Sequence, residues 1–227
     1  MNPPPPAVWL HAAKPALSKH ASQVANLLAK EGIAVHARDG GGPACGIALA
    51  KEGIAIHARN GGGPACGIAV LDDADEEQLA ALTPWCEDGC VLALLCRADA
   101  PTSAMSWAAM GAGAADVLWW PPAGADPVPL LARIRRRLAV QQLADSEAVC
   151  RMLVGRSMAW RALVREAVEV AAFSSSSVLV TGETGTGKDL IAQAIHQLSG
   201  CAGELTVLDC TTLSPELAGS ELFGHER

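Results

Sequence analysis

VLVTGETGTGKDLIAQAIHQL, residues 178–198, passes from a β-branched and apolar run through a loop with glycines at 182, 185 and 187 into apolar residues at helical spacing. The pattern predicts a strand over 178–181, a tight loop, and a helix opening near Lys188. Such a loop lets glycine backbones adopt conformations closed to residues with a Cβ and brings successive N–H groups onto phosphate oxygens. Lys188 adds a point charge for the β and γ phosphates, and the positive end of the following helix dipole adds to the attraction. The candidate nucleotide-binding residues are therefore Gly182, Glu183, Thr184, Gly185, Thr186, Gly187, Lys188 and Asp189. Asp189 stands where this loop type normally carries Ser or Thr as a Mg²⁺ ligand; a carboxylate can face the metal directly or through water, with altered geometry.

Working toward the N-terminus, Ser174–Ser177 is a polar spacer, Met158–Ala172 reads as a helix, and VGRS at 154–157 opens this unit. Residues 126–152, DPVPLLARIRRRLAVQQLADSEAVCRM, form a long helical candidate with Pro near its start and Leu131, Ile134 and Leu138 along one face. Its cluster Arg133, Arg135, Arg136 and Arg137 reads as a solvated face on a linker helix rather than a phosphate site. Before it, strand-like and helix-like segments alternate: AVWLHA at 7–12, a helix from Leu17 to Lys30, GIAVL at 67–71, a helix after Asp72, CVLALL at 90–95, a helix from Ser103 to Met110, and ADVLWW ending at Pro121. Alternation of this kind predicts an α/β fold with a doubly wound parallel sheet.

Inside that region, residues 30–49 recur as residues 51–70 with changes only at Val35/Ile56, Asp39/Asn60 and Leu49/Val70. Two copies are too few for a solenoid, so the feature is a local tandem duplication. Each copy holds two short strand candidates around a triple-Gly-Pro turn. One copy leaves only the residues between His36 and Cys45 for a parallel crossover, which needs about a dozen; both copies together leave room, for a replacement of a helix or an irregular insertion.

Composition sets limits. Lys plus Arg number 17 against 24 Asp plus Glu, a net charge of −7, which disfavours a chain that works by coating nucleic acid. No basic leader precedes an apolar run, and no segment is apolar for long enough to span a bilayer, so a cytoplasmic location is expected. The eight cysteines, at 45, 66, 86, 90, 96, 150, 201 and 210, are scattered and read as reduced thiols.

GETGTGKD resembles the acidic-ended phosphate loop of the sigma-54-dependent transcriptional activators, the bacterial enhancer-binding branch of the AAA+ ATPases. The likeness extends to LVGRSMAWRALVREAVEVAA at 153–172 and to LDCTTLSPELAGSELFGHER at 208–227, where SELFGHER is similar to the run that leads into the family's sigma-contacting loop. The resemblance implies ATP and Mg²⁺ as cofactors, with Val154 and Gly155 near the adenine and residues 182–189 around the triphosphate. It places Asp209 where the family usually has an Asn that senses the γ phosphate. The sigma-contacting loop, the second acidic strand, the arginine finger and a helix-turn-helix would follow Arg227, so this chain is expected to bind ATP without turning it over. The implied partners are sigma-54 RNA polymerase for the full-length form, further copies of the chain through the linker and ATPase module, and DNA only through a C-terminal domain; no membrane is implied. The alternative is a truncated, catalytically inactive regulatory or interaction protein.

Many such activators carry a receiver domain in front, and residues 1–125 resemble one in element order. Asp72 falls at the phospho-acceptor place. The supporting residues differ: His11 and Ala12 occupy the acidic-pair region, Leu95 or Cys96 the hydroxyl position, and Trp120 the lysine position. A degenerate, non-phosphorylated receiver-like domain is expected over 1–125, a linker helix over 126–152, and the truncated start of a P-loop AAA+ domain over 153–227.

The remaining candidates read as structural. His36 and His57 with Cys45 and Cys66 pair up only because of copying. Cys86 and Cys90 have no second pair to complete a zinc site. Trp119 and Trp120 read as packing or covering a sheet edge, and His196 and His225 have no nucleophile partner.

Overall fold

Six parallel strands run in the order β3-β2-β1-β4-β5-β6 through the front of the protein. The computed structural model describes residues 7–38, 55–57, 66–88 and 90–209. The strands are β1 (Ala7–Ala12), β2 (Ala34–Arg38), β3 (Ala55–His57), β4 (Cys66–Leu71), β5 (Cys90–Leu95) and β6 (Asp116–Trp119). Helices α1 (Ser18–Lys30), α2 (Glu76–Asp88) and α3 (Ser103–Gly111) alternate with them. Four more follow: α4 (Pro127–Ala144), α5 (Glu147–Met152), α6 (Met158–Phe173) and α7 (Lys188–Leu198).

The apolar runs become central strands because both faces of the sheet are covered. Successive side chains leave a strand on opposite faces, so each run divides between two cores. Val8, Leu10, Ile68, Val70, Leu92 and Leu94 pack with Val24 and Leu28 of α1 and Leu130 and Ile134 of α4. Trp9, Ala69, Leu71, Val91 and Leu95 pack on the other face with Leu82 of α2 and Ala109 of α3. Trp9 lies directly opposite Gly67 in the β1–β4 ladder, and a Cβ there would sit 1.8 Å from the indole. Only glycine leaves room for this ring.

The doubly wound parallel sheet expected from the sequence is present, with one addition. The second copy of the duplicated segment supplies β3, which pairs with β2 through His36↔Ala55, Ala37↔Ile56 and Arg38↔His57. Residues 55–57, inside the short strand candidate of the second copy, form an edge strand; residues 39–54 and 58–65, on which the choice between a helix replacement and an irregular insertion turns, lie outside the described residues. The equivalent histidines of the two copies are out of step by two residues in this ladder. Cys45 and the first copy's second apolar run lie outside the described residues.

Two other expectations change. The helical candidate at 126–152 breaks at Asp145, where the Ser146 hydroxyl accepts from the Val149 N–H and starts α5 as a separate helix. The run VLVT at 178–181 forms no strand. A strand needs a neighbour to take its N–H and C=O groups, and no ladder among the described residues includes 178–181; Leu179 is accordingly 88% exposed. The apolar residues 205–208 are likewise outside any strand.

A third core joins the C-terminal helices. Val140 and Ala144 of α4, Val149 of α5, Val164 and Val168 of α6, and Ile191 and Ala194 of α7 form one buried cluster, with Leu153, Trp160 and Val180 against it. The N-terminal half of α4 thus packs on the sheet and its C-terminal half on the second unit. Its arginines are not a bare solvated face. Arg133 pairs with Asp116 and Arg135 with Glu31, while Arg136 and Arg137 donate to the two oxygens of Glu169 on α6, at 2.9 and 2.7 Å. The Arg136 guanidinium also sits over the Phe173 ring, 5.2 Å from its centroid. No helix among the described residues is long and apolar enough to cross a membrane.

Candidate functional site

The loop 182–187 curls back on itself before α7 begins. Gly185 (φ +84°) and Gly187 (φ +85°) hold left-handed backbone that a Cβ would strain, and open space surrounds Gly185. Gly187 is the N-cap of α7, and Ile191 donates to its carbonyl. The Thr186 hydroxyl donates to the Glu183 carbonyl at 2.8 Å, which closes the turn. Lys188, the first residue of α7, folds over the loop and donates from Nζ to the carbonyls of Gly182 (3.1 Å) and Glu183 (2.7 Å). An ammonium is therefore held at the centre of a glycine-rich turn, at the positive end of an 11-residue helix. Thr184 is exposed on the turn, and Asp189 is exposed in the first helical turn, where a carboxylate suits the dipole.

Val154 and Gly155 lie in the connection between α5 and α6 and are exposed. They border a groove of about 730 Å³ whose walls include Leu153, Trp160, Arg156, Arg161 and Arg165. Trp160 packs so closely on Gly155 that a Cβ there would lie 2.2 Å from the indole, and its Nε1–H donates to the Leu153 carbonyl at 3.4 Å. No residue of 182–189 lines this groove. The two features are linked instead through the third core, where Leu153 and Trp160 meet Val180 before the loop and Ile191 after it.

The residues fit a nucleoside triphosphate. The loop is open to solvent rather than filled by packed side chains, and it offers a lone ammonium with exchangeable carbonyl partners. Rotation of the Lys188 side chain off Gly182 and Glu183 would direct that charge at an incoming phosphate.

The second candidate site, around Asp72, carries a feature the sequence reading missed. Lys14 of the β1–α1 connection places its ammonium 3.3 Å from Asp72 Oδ1 and 2.9 Å from Asp75 Oδ2. Gln78 Nε2 donates to Asp72 Oδ1 at 2.6 Å, while its Oε1 accepts from the Asp72 N–H at 2.9 Å. The hydrogen bond with Asp75 raises the Lys14 pKa. The Gln78 N–H, and after it Lys14, lower Asp75 to about 2. His11 and Ala12 are buried, and Cys96 is buried with its thiol pushed up to about 12 by that burial. Trp120 is in the first core, while Trp119 is 44% exposed on β6, at the edge of the sheet, with its Nε1–H donating to the Arg97 carbonyl at 2.9 Å. The only signal for Lys14 was a lysine just past the first apolar run, in HAAKPAL.

Other singled-out residues have plain roles. His196 Nε2 lies 3.0 Å from the Gly203 carbonyl and ties α7 to the loop after it. Asp209 is exposed; His225 and the rest of SELFGHER lie outside the described residues. Among the described residues no group of three His, Cys, Asp or Glu is placed to hold a metal.

Residues 153–227 match the sigma-54 interaction domain family. The formate hydrogenlyase transcriptional activator of Salmonella typhimurium strain SL1344 is 43% identical over 102 residues, covering 42% of this chain and 15% of that protein. The anaerobic nitric oxide reductase transcription regulator NorR of Klebsiella pneumoniae strain 342 is 40% identical over 99 residues, covering 42% of this chain and 19% of that protein. The chain thus spans less than a fifth of the length of these relatives. A crystal structure of NtrX from Brucella abortus in complex with ADP aligns over 97% of this chain and 46% of its own, with 23% identity and a TM-score of 0.43.

Proposed function

We propose that this chain is an ATP-binding transcriptional regulator of the sigma-54-dependent activator type, which in its full-length form couples ATP to remodelling of sigma-54 RNA polymerase. The observation that carries the reading is the closed glycine turn at 182–187 with the Lys188 ammonium held over it. ATP, when bound, supplies the phosphoanhydride whose cleavage drives remodelling. The chain's own residues do the holding. Loop N–H groups and the first turn of α7 receive the phosphates, Lys188 leaves its two carbonyls for the β and γ oxygens, and Asp189 faces Mg²⁺ directly or through water. Val154 and Gly155, at the mouth of the groove with Trp160, take the adenine side.

In this reading residues 1–125 are a regulatory unit, 126–152 a linker, and 153–227 the opening of the ATPase module. The separate cores on either half of α4 support that division. Asp72 stays unphosphorylated, because His11 and Ala12 stand where metal-binding carboxylates would be needed and the buried Cys96 thiol stands at the hydroxyl position. Self-association through the linker and module, DNA contact through a separate domain and a cytoplasmic location complete the proposal.

Equilibrium binding of a fluorescent ATP analogue to the intact chain tests it. Lys188→Ala removes the charge while leaving the helix former in place, and should weaken binding at least about tenfold, or about 1.4 kcal/mol. A signal that is unchanged in Lys188→Ala would refute phosphate binding at this loop.

A further inference from the structure

The ladder between β4 and β5 begins on two cysteines: Cys66 stands directly opposite Cys90, each the first residue of its strand. Opposed residues on neighbouring strands point to the same face, and strands lie about 4.8 Å apart. That separation is inside the Cα range of about 4.4–6.8 Å that a disulfide spans.

The two thiols sit in different surroundings. Cys66 is buried, and its thiol is held well above its ordinary pKa, first by a hydrogen bond with Cys90 and then by burial. Cys90 is partly exposed, and its pKa is lowered, first by the Cys66 hydrogen bond and then by the charges of Arg137 and Arg165; burial and Glu169 oppose this. One sulfur is therefore reachable and inclined to the thiolate, and the other is a protonated neighbour behind it. Cys66 packs in the first core with Leu130 and Ile134 of α4, the helix whose Arg137 pairs with Glu169 of α6, so this end of the ladder lies at the joint between the sheet and the C-terminal helices. A third thiol, Cys86, is pushed up to about 11, chiefly by burial.

We infer that Cys66 and Cys90 form a redox-active dithiol, which hydrogen peroxide or a related hydroperoxide converts to an intramolecular disulfide at this joint. The Cys90 thiolate attacks one peroxide oxygen; an S–O bond forms, the O–O bond breaks, and the departing hydroxide takes up a proton as water. Cys90 is now a sulfenic acid and the peroxide has been reduced. Cys66 gives up its proton and attacks the Cys90 sulfur; the S–S bond forms, the S–O bond breaks, and the hydroxyl leaves with the proton as a second water. Two thiols and one peroxide thus become one disulfide and two waters.

The test exposes the full chain to hydrogen peroxide, alkylates the remaining thiols, and cleaves at Arg and at Asp and Glu. These cuts separate the peptides of Cys66 and Cys86 from the one that carries Cys90 and Cys96, and fragmentation between Val91 and Leu95 assigns the linked sulfur. The expected product is a Cys66–Cys90 cross-linked peptide pair that a thiol reductant reverses. Cys66→Ala should instead leave Cys90 as a sulfenic acid trapped by a cyclic 1,3-dione, and Cys90→Ala should leave Cys66 reduced. A cross-link from Cys90 to Cys86, or no Cys66 cross-link at doses that oxidise Cys150, overturns the inference. Mapping of the unsubstituted chain decides the matter even if a variant folds poorly.

Discussion

Gly67→Ala puts one methyl group into the most crowded point of the sheet. The new carbon would lie 1.8 Å from Trp9 Cε2 and 2.1 Å from Cδ2 and Cζ2, against a rigid ring that is 1% exposed and packed among Ala69, Leu71 and Val91. Two responses are open. If the ladder shifts and the ring stays, the cost is that of overpacking, about 1–3 kcal/mol. If the ring leaves, the cost approaches that of truncating a buried tryptophan, about 3–5 kcal/mol. The overlap exceeds an ångström and involves an atom fixed to the backbone, so the second outcome wins and a loss of about 3 kcal/mol is expected. At about 2–4 °C per kcal/mol for a chain of this size, the sheet's thermal transition should fall by roughly 6–12 °C. Urea unfolding followed by near-ultraviolet circular dichroism measures it. The partner change isolates the cause: Trp9→Leu should cost much less in the Gly67→Ala background than alone, a coupling of more than about 1 kcal/mol. Additive costs, or a single variant within about 0.5 kcal/mol of the parent, would show that the ring does not occupy this space.

Three further outcomes concern charged side chains. Glu169→Gln leaves Arg136 and Arg137 without their shared carboxylate; with the groups partly exposed, a loss of about 1–2 kcal/mol is expected in the transition of the C-terminal helices, measured by chemical denaturation. Asp75 has a folded pKa of about 2 against a reference of 3.8, so its contribution is present above about pH 4 and is lost as pH falls toward 2. The urea midpoint should thus drop less between pH 5 and pH 2.5 in Asp75→Asn than in the parent, and an identical drop would count against the contacts of Asp75 with the Gln78 N–H and Lys14. Incubation with a small acyl phosphate and Mg²⁺, followed by mass analysis, should give no adduct at Asp72, since His11 and Ala12 offer no carboxylate for the metal; a stable adduct would reverse this assignment.

What the sequence reveals here depends on the range of the interaction. β1, β4 and β5 were legible because a strand buried on both faces must be apolar at nearly every position, and that pattern is local. β3 was legible as a short strand but its place was not, because His36 and His57 belong to near-identical stretches, and nothing within a copy says that the second will extend the sheet beside the first. VLVT looks like a strand for the same local reasons, yet pairing is a property of two segments, and 178–181 has no ladder among the described residues. The loop at 182–189 was legible in detail because its work is done by backbone conformation, which glycine spacing encodes directly. Lys14 escaped notice because its carboxylate partners lie 58 and 61 residues away.

The position of α4 gives these parts a common mechanical basis. It is an 18-residue helix, about 27 Å long, whose first turns are fixed to one face of the sheet by Leu130, Leu131 and Ile134 and whose last turns are fixed by Val140 and Ala144 to the core that holds Ile191 and Ala194. Those two residues belong to α7, which begins with Lys188. A close-packed interior transmits displacement rather than absorbing it, so a shift of α4 along the sheet must be taken up at the Glu169 clamp or passed to the helix that carries the ammonium. Side chains on two elements decide which happens: Arg136 and Arg137 on α4, and Glu169 and Phe173 on α6.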